Sequence, residues 1–145
     1  HRAINKPIHY NSKLYEGYMA GGTNALLDGY RGGLTYLDGR WQGYLDDLDC
    51  VIDMEEETDI HKVSIRFMQL TGPGVFQPGQ VELLTSEDGE NFISRGIVPT
   101  TVPADDPDLL FQEYTFDGNW KARYVRLKAP RANPGFIFAD EIVVW

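Results

Sequence analysis

From residue 50 onward the chain is cut into short apolar or alternating runs, and the cuts between them are rich in Gly, Pro, Asp and Asn. The runs cover 51–54, 63–70, 81–85, 92–98, 109–116, 124–127 and 137–144, with a further fragment near Ile8. None holds a helical period long enough for a major helix, so strands are the only regular structure this half of the chain can form. Val63, Ile65 and Phe67 alternate with Ser64, Arg66 and Met68, and Val125 and Leu127 alternate with Arg126 and Lys128. A period of two predicts one face in the core and one outside. Asp88-Gly89 lies between two such runs and reads as a hairpin connection. About eight short strands with regular turn signals predict an all-β fold, an eight-stranded antiparallel jelly-roll sandwich.

The 145 residues fit a single domain, 1–145, with enough chain to bury a core without disulfide or metal staples. Seven Phe, eight Tyr and three Trp, with fifteen Gly, suit strands joined by tight turns. A net charge of -9 repels nucleic acid and anionic lipid, so neither is an expected partner. No apolar run is long enough to insert across a membrane as a helix. The one cysteine, Cys50, sits in an apolar run and reads as a small core hydrophobe. Because the chain starts at His1 and not at Met, it reads as a mature or excised piece of a longer protein.

One stretch, 21–44, belongs to neither pattern. It gathers Asp28-Gly29, Gly32-Gly33, Asp38-Gly39 and Trp41 into a shaped loop, with one helical turn expected at 23–27, Thr23 as its cap and Gly29 past its end. Binding residues concentrate on loops held by a rigid scaffold, so function is sought here first. Catalysis is not. The carboxylate pairs Asp46-Asp47 and Asp105-Asp106 and the run Glu55 to Glu57 lie on turns and read as solvated. His1, His9 and His61 have no metal-ligand spacing, and no nucleophile motif accompanies them.

The ordered landmarks ALLDGYRGGLTY, VIDME, VELLTSEDGENF, ARYVRLKA and ADEIVVW resemble a discoidin domain, the coagulation factor V/VIII type C domain, whose bacterial counterparts are the family 32 carbohydrate-binding modules. DGRWQGY, DLDCVIDME and VSIRFMQ with GPGVFQP resemble, more narrowly, the modules at the C-terminal end of bacterial family 20 glycoside hydrolases, the β-N-acetylhexosaminidases. The resemblance implies a galactose-binding-like jelly roll with ligand loops at one end and a structural calcium ion. It assigns the ion to the side chains of Asp28, Thr35 and Glu141 and the main-chain oxygens of Ala25, Tyr30 and Asp140. The spacing from Asp28 to Thr35 departs from the family pattern by two extra residues, in RGG. The competing assignment makes Asp28 a turn cap and Glu141 a solvated edge carboxylate.

A sugar site needs an aromatic face for the apolar side of a pyranose and fixed polar groups for its hydroxyls. Trp41 is the expected platform, flanked by Asp38, Arg40 and Gln42. The resemblance adds Asn133 and Phe136 from the loop before the last strand. Trp41 buried on its own sandwich is the alternative, and Phe76 and Trp120 are read as packing. Asp38 stands where galactose-binding relatives carry a His, and FMQLTGPG lacks their arginine, which argues against galactose. The implied function is noncatalytic binding of an N-acetylhexosamine- or galactose-containing glycan, in the periplasm or outside a bacterium, for a parent catalytic domain. The alternatives are a structural domain docked on that parent through an apolar patch at Val75 and Phe76, and a cell-surface adhesion module.

Overall fold

Two long strands carry the architecture. β3 (Leu48–Gln69) and β6 (Leu110–Ala129) pair antiparallel along nearly their whole length in the computed structural model, which describes residues 1–145. Their register slips between Asp53 and Thr58 and again between Ile60 and Lys62. Such bulges bend a ribbon, and this one turns from one sheet layer into the other. Before the bend, β3 pairs with β1 (Ile8–Tyr10), β6 with β4 (Gln80–Ser86), and β4 with β5 (Ile93–Pro99). Beyond it, β3 pairs with β7 (Ile137–Val144), and β7 with β2 (Gln42–Tyr44). All pairings between these strands are antiparallel, in the order β2-β7-β3-β6-β4-β5 with β1 beside β3 off that path.

The two layers close on one core. Ile52, Leu83, Val125 and Leu127 come from the first layer, and Ile65, Phe67, Tyr114 and Ile142 from the second. Cys50 is fully buried among them, and burial pushes its thiol up to about 12. Trp120 packs partly buried against the same core, as its sequence setting suggested.

This is the antiparallel β-sandwich expected from the sequence, with differences in how the strands are cut. The runs 51–54 and 63–70 are one strand, β3, and 109–116 and 124–127 are one strand, β6. Glu55 to Glu57 resemble a solvated turn, but they form the outer side of the bend, with Glu55 at φ 72. β2 was not foreseen, because three residues of mixed polarity carry no period. The expected helical turn is a single 3-10 turn, Ala25–Leu27, preceded by Asn24 without a side-chain cap. Thr23 therefore does not cap it, whereas Gly29 does follow its end at φ 84. The alternation at Val125 and Leu127 holds, but at 63–68 it fails: Ser64 and Met68 are as buried as Val63 and Phe67. Something covers the outer face of the second layer, and it is the 21–44 loop.

Candidate functional site

Met68 and Phe138 project from the outer face of the β3–β7 pair, where they need cover from water. Trp41 supplies it, forming with Met68, Val75 and Phe138 a second buried cluster separate from the main core. Its ring stacks on Phe111 at 5.7 Å and lies 5.1 Å from the Arg66 guanidinium. Its Nε1 donates to the Gly33 carbonyl at 3.2 Å. A Cβ on Gly32 would stand 2.0 Å from Trp41 Nε1, so glycine here is required by close approach.

Polar pins hold the loop against the sheet. Asp140 on β7 is fully buried; it accepts from Arg66 Nε at 3.0 Å and from Arg66 Nη2, and from the Gly32 amide at 3.0 Å. Arg66 Nη2 also donates to the Gly32 carbonyl at 3.0 Å. Nearer β2, the Gln42 amide donates to the Met19 and Gly22 carbonyls, and its Oε1 accepts from the Tyr10 and Tyr44 hydroxyls. Burial raises the Tyr44 and Tyr10 phenols well above their ordinary value, which keeps both as donors.

These contacts correct two of the expected sugar contacts. Trp41 is 1% exposed and Gln42 0%. The indole is enclosed by Phe111, Met68, Val75 and Phe138, and the Gln42 amide has no bonding capacity left. Asp38 is exposed but spent as a turn cap, accepting from the Gly33 and Arg40 amides. Arg40 is exposed with its guanidinium 4.1 Å from the Tyr30 ring centroid. Asn133 is half-buried in the loop before β7. Phe136 is half-buried in an aromatic row, with its centroid 5.2 Å from both Tyr15 and Tyr18 and 5.5 Å from Phe138.

That row is where the surface opens. Tyr36 lies 6.0 Å from Tyr18 and 5.3 Å from Phe138, and Tyr18 lies 5.7 Å from Tyr15. Between 16–20 and 36–41 runs a groove of about 450 Å3, lined by Glu16, Tyr18, Met19, Tyr36 and Leu37 and bordered by the buried Trp41. Leu37 is 66% exposed above it. Sequence reasoning missed Tyr18 and Tyr36. The tyrosine-rich run at 13–19 was a visible signal, but it has no period that assigns it a face.

The proposed cation ligands divide. Glu141 Oε2 accepts from the Gly29 amide at 2.8 Å and lies 2.8 Å from His1 Nε2, while Oε1 is buried with no partner. The Asp28 carboxylate stands beside it, with Oδ1 accepting from the Tyr30 amide at 2.9 Å. Burial, reinforced by the Asp28 charge, pushes the Glu141 carboxyl up to about 8. An orphaned buried oxygen next to a second carboxylate fits a hard cation. Thr35 does not join them: it is exposed, and its Oγ1 accepts from the Leu37 amide. No three acidic, His or Cys side chains are arranged to hold a metal ion by themselves, so the rest of a coordination shell would be main-chain oxygen and water.

The sequence matches the F5/8 type C domain over residues 8–142. The chain belongs to the F5/8 type C, or discoidin, family. No curated protein matches it. Among solved structures, a fucose-binding module of Streptococcus pneumoniae is similar with a TM-score of 0.69 at 17% identity, over 99% of this chain and 93% of that one. Chitosan-binding module 1 of a chitosanase/glucanase from Paenibacillus sp. IK-5 gives 0.66 at 14% identity, over 99% and 97%. A family 32 module of Clostridium perfringens, in complex with GalNAc-β-1,3-galactose, gives 0.64 at 19% identity, over 97% and 95%. This F5/8 type C chain thus shares its whole fold with carbohydrate-binding modules.

Proposed function

We propose that this F5/8 type C domain is a noncatalytic carbohydrate-binding module of a bacterial glycoside hydrolase, with the tyrosine-walled groove as its sugar site. The groove itself carries the reading. It has the volume of a small-ligand site, two half-buried phenol rings for the apolar face of a pyranose, and a carboxylate edge for hydroxyls. Binding there tethers the substrate near a linked catalytic domain and raises its local concentration. The likeness of DGRWQGY and its neighbours to modules of β-N-acetylhexosaminidases supports an N-acetylhexosamine-containing ligand, and with it a periplasmic or extracellular setting. Calcium would be held by Asp28 and Glu141, where it supplies the positive charge that lets both stay ionised and ties the 28–30 turn to β7.

A titration followed by amide chemical shifts tests the site. N-acetylglucosamine, N-acetylgalactosamine, galactose, fucose and their oligomers are added to the domain, and shifts are expected in 16–20 and 36–41. Affinity should be weak, around millimolar, or roughly 4 kcal/mol. Tyr36→Ala should abolish the shifts. No response from the folded domain to any sugar moves the assignment to the second reading, a structural domain docked on the parent enzyme. That reading is supported by Leu34, Leu37 and Tyr30, which are 76%, 66% and 56% exposed on one loop. Its anticipated patch at Val75 and Phe76 does not form, because Val75 is 1% exposed.

A further inference from the structure

β5 carries a bulge. Leu83 pairs with Gly96 and Leu84 with Ser94, so Arg95 is left without a cross-strand partner, and Gly96 takes φ 139. A bulge of this kind re-aims one side chain, and here it brings Arg95 Nε to the buried Thr85 hydroxyl at 2.9 Å. The two terminal nitrogens of the guanidinium fork have no protein partner. Arg31, Arg66, Arg123 and Arg126 each pair with a carboxylate. Arg95 pairs with none, like Arg2, Arg40 and Arg131, but it alone of these four is anchored through its Nε to a buried hydroxyl.

The fork borders a cleft of about 320 Å3 between the 86–93 hairpin and Lys121 of β6. Lys121 is 63% exposed and approaches only Asp59, at 3.8 Å. The Phe92 ring lines the same cleft, as do Asn91 and Glu87. Asp88, at its rim, has its charge absorbed locally: Oδ1 accepts from the Ser86 hydroxyl and the Glu90 and Asn91 amides, and Oδ2 from Asn91 Nδ2. The cleft sits where β4 ends beside Tyr124, by the bend of the ribbon, at the pole opposite the tyrosine groove.

We propose that this cleft is a second ligand site, for a carboxylated sugar of the uronic acid type. Its carboxylate would bridge the free Arg95 fork and the Lys121 ammonium, its hydroxyls would donate to Glu87 and accept from Asn91, and its apolar ring face would lie on Phe92. A pre-positioned guanidinium fork matches a planar carboxylate through two parallel hydrogen bonds, and a neutral sugar cannot use it.

The test titrates the 145-residue chain with glucuronic and galacturonic acid, with glucose and galactose, and with acetate, following amide and arginine Nε shifts. The uronic acids are expected to shift Arg95 Nε and the amides of 86–93 and 121–122, and the neutral sugars to bind at least about tenfold more weakly. Lys121→Gln, on an exposed side chain that the fold does not need, should weaken uronate binding about fivefold or more, and Arg95→Gln should abolish it. Tyr36→Ala should leave it unchanged. Neutral sugars binding as well as uronates, or Lys121→Gln binding like the unaltered chain, would overturn the proposal. Acetate matching the uronates would reduce the site to an adventitious anion contact and overturn it equally.

Discussion

Glu141 shows how much one side chain can disclose. Its Oε2 is held by the Gly29 amide and faces His1, and its buried Oε1 is held by nothing. Burial raises the carboxyl from the ordinary 4.5 to about 8, the Gly29 amide opposes the rise, and Asp28 and Asp140 add to it. The folded chain therefore keeps this proton to about pH 8, while the unfolded chain releases it near 4.5. Between those values the native state binds more protons, so this group's contribution to stability falls as pH rises. A bound calcium ion reverses the trend, because it binds the ionised pair. In chelator, Tm should fall from pH 5 to pH 8 by more in the unaltered chain than in Glu141→Gln. That comparison isolates Glu141 from Asp49 and Asp53, whose lowered carboxyls stabilise with the opposite sign. Added calcium should raise Tm more at pH 8 than at pH 5, and should do nothing for Glu141→Gln. Unaltered chain with no calcium response at either pH would remove the ion from the structure's account.

At the scale of elements, the 21–44 loop behaves as a third layer, and its attachment is concentrated at Gly32, Trp41, Arg66 and Asp140. Gly32→Ala drives a Cβ into the Trp41 indole, which is rigid and enclosed, and overpacking of this kind costs about 1–3 kcal/mol. Urea unfolding should show that loss, and trypsin should cut at Arg31 or Arg40 sooner than in the unaltered chain. A stability unchanged within about 0.5 kcal/mol would mean that the loop is not packed as described. The same contacts explain what the sequence left hidden. Val63, Ile65 and Phe67 declared the inner face of β3 by alternation, and Asp88-Gly89 declared its hairpin by turn chemistry. Ser64, Arg66 and Met68 looked like an outer face because a period of two cannot show that a loop thirty residues earlier lies over it. Trp41 could be assigned to glycan or to core only by its contacts with Phe111 and Met68, both remote in the chain. Phe136, expected as a ligand contact from its loop, packs edge-on against Tyr18 in the aromatic row, whereas Tyr18 and Tyr36 went unrecognised for want of any local pattern.

The whole molecule is tied together by the β3–β6 ribbon. Because each strand passes through the bend into both layers, neither layer has a complete set of strands without the other. The main core draws on both halves of both strands, and the outer cluster is bolted to β7 through Asp140. Separate unfolding of one layer would strand Ile52 and Leu127, or Ile65 and Tyr114, against water together with their ladder hydrogen bonds. The chain should therefore unfold as one cooperative unit, as small single-core domains do. Trp41 reports the outer cluster and Trp120 the ribbon near its bend, so variants that keep only one of them, with Trp145 replaced in both, divide the signal by location. Both fluorescence midpoints in urea should coincide with each other, and with far-ultraviolet circular dichroism of the same variant. An earlier Trp41 midpoint in the variant that retains it would mean that the loop layer peels away first; the groove would then be an ordered surface only on a separately stable sandwich.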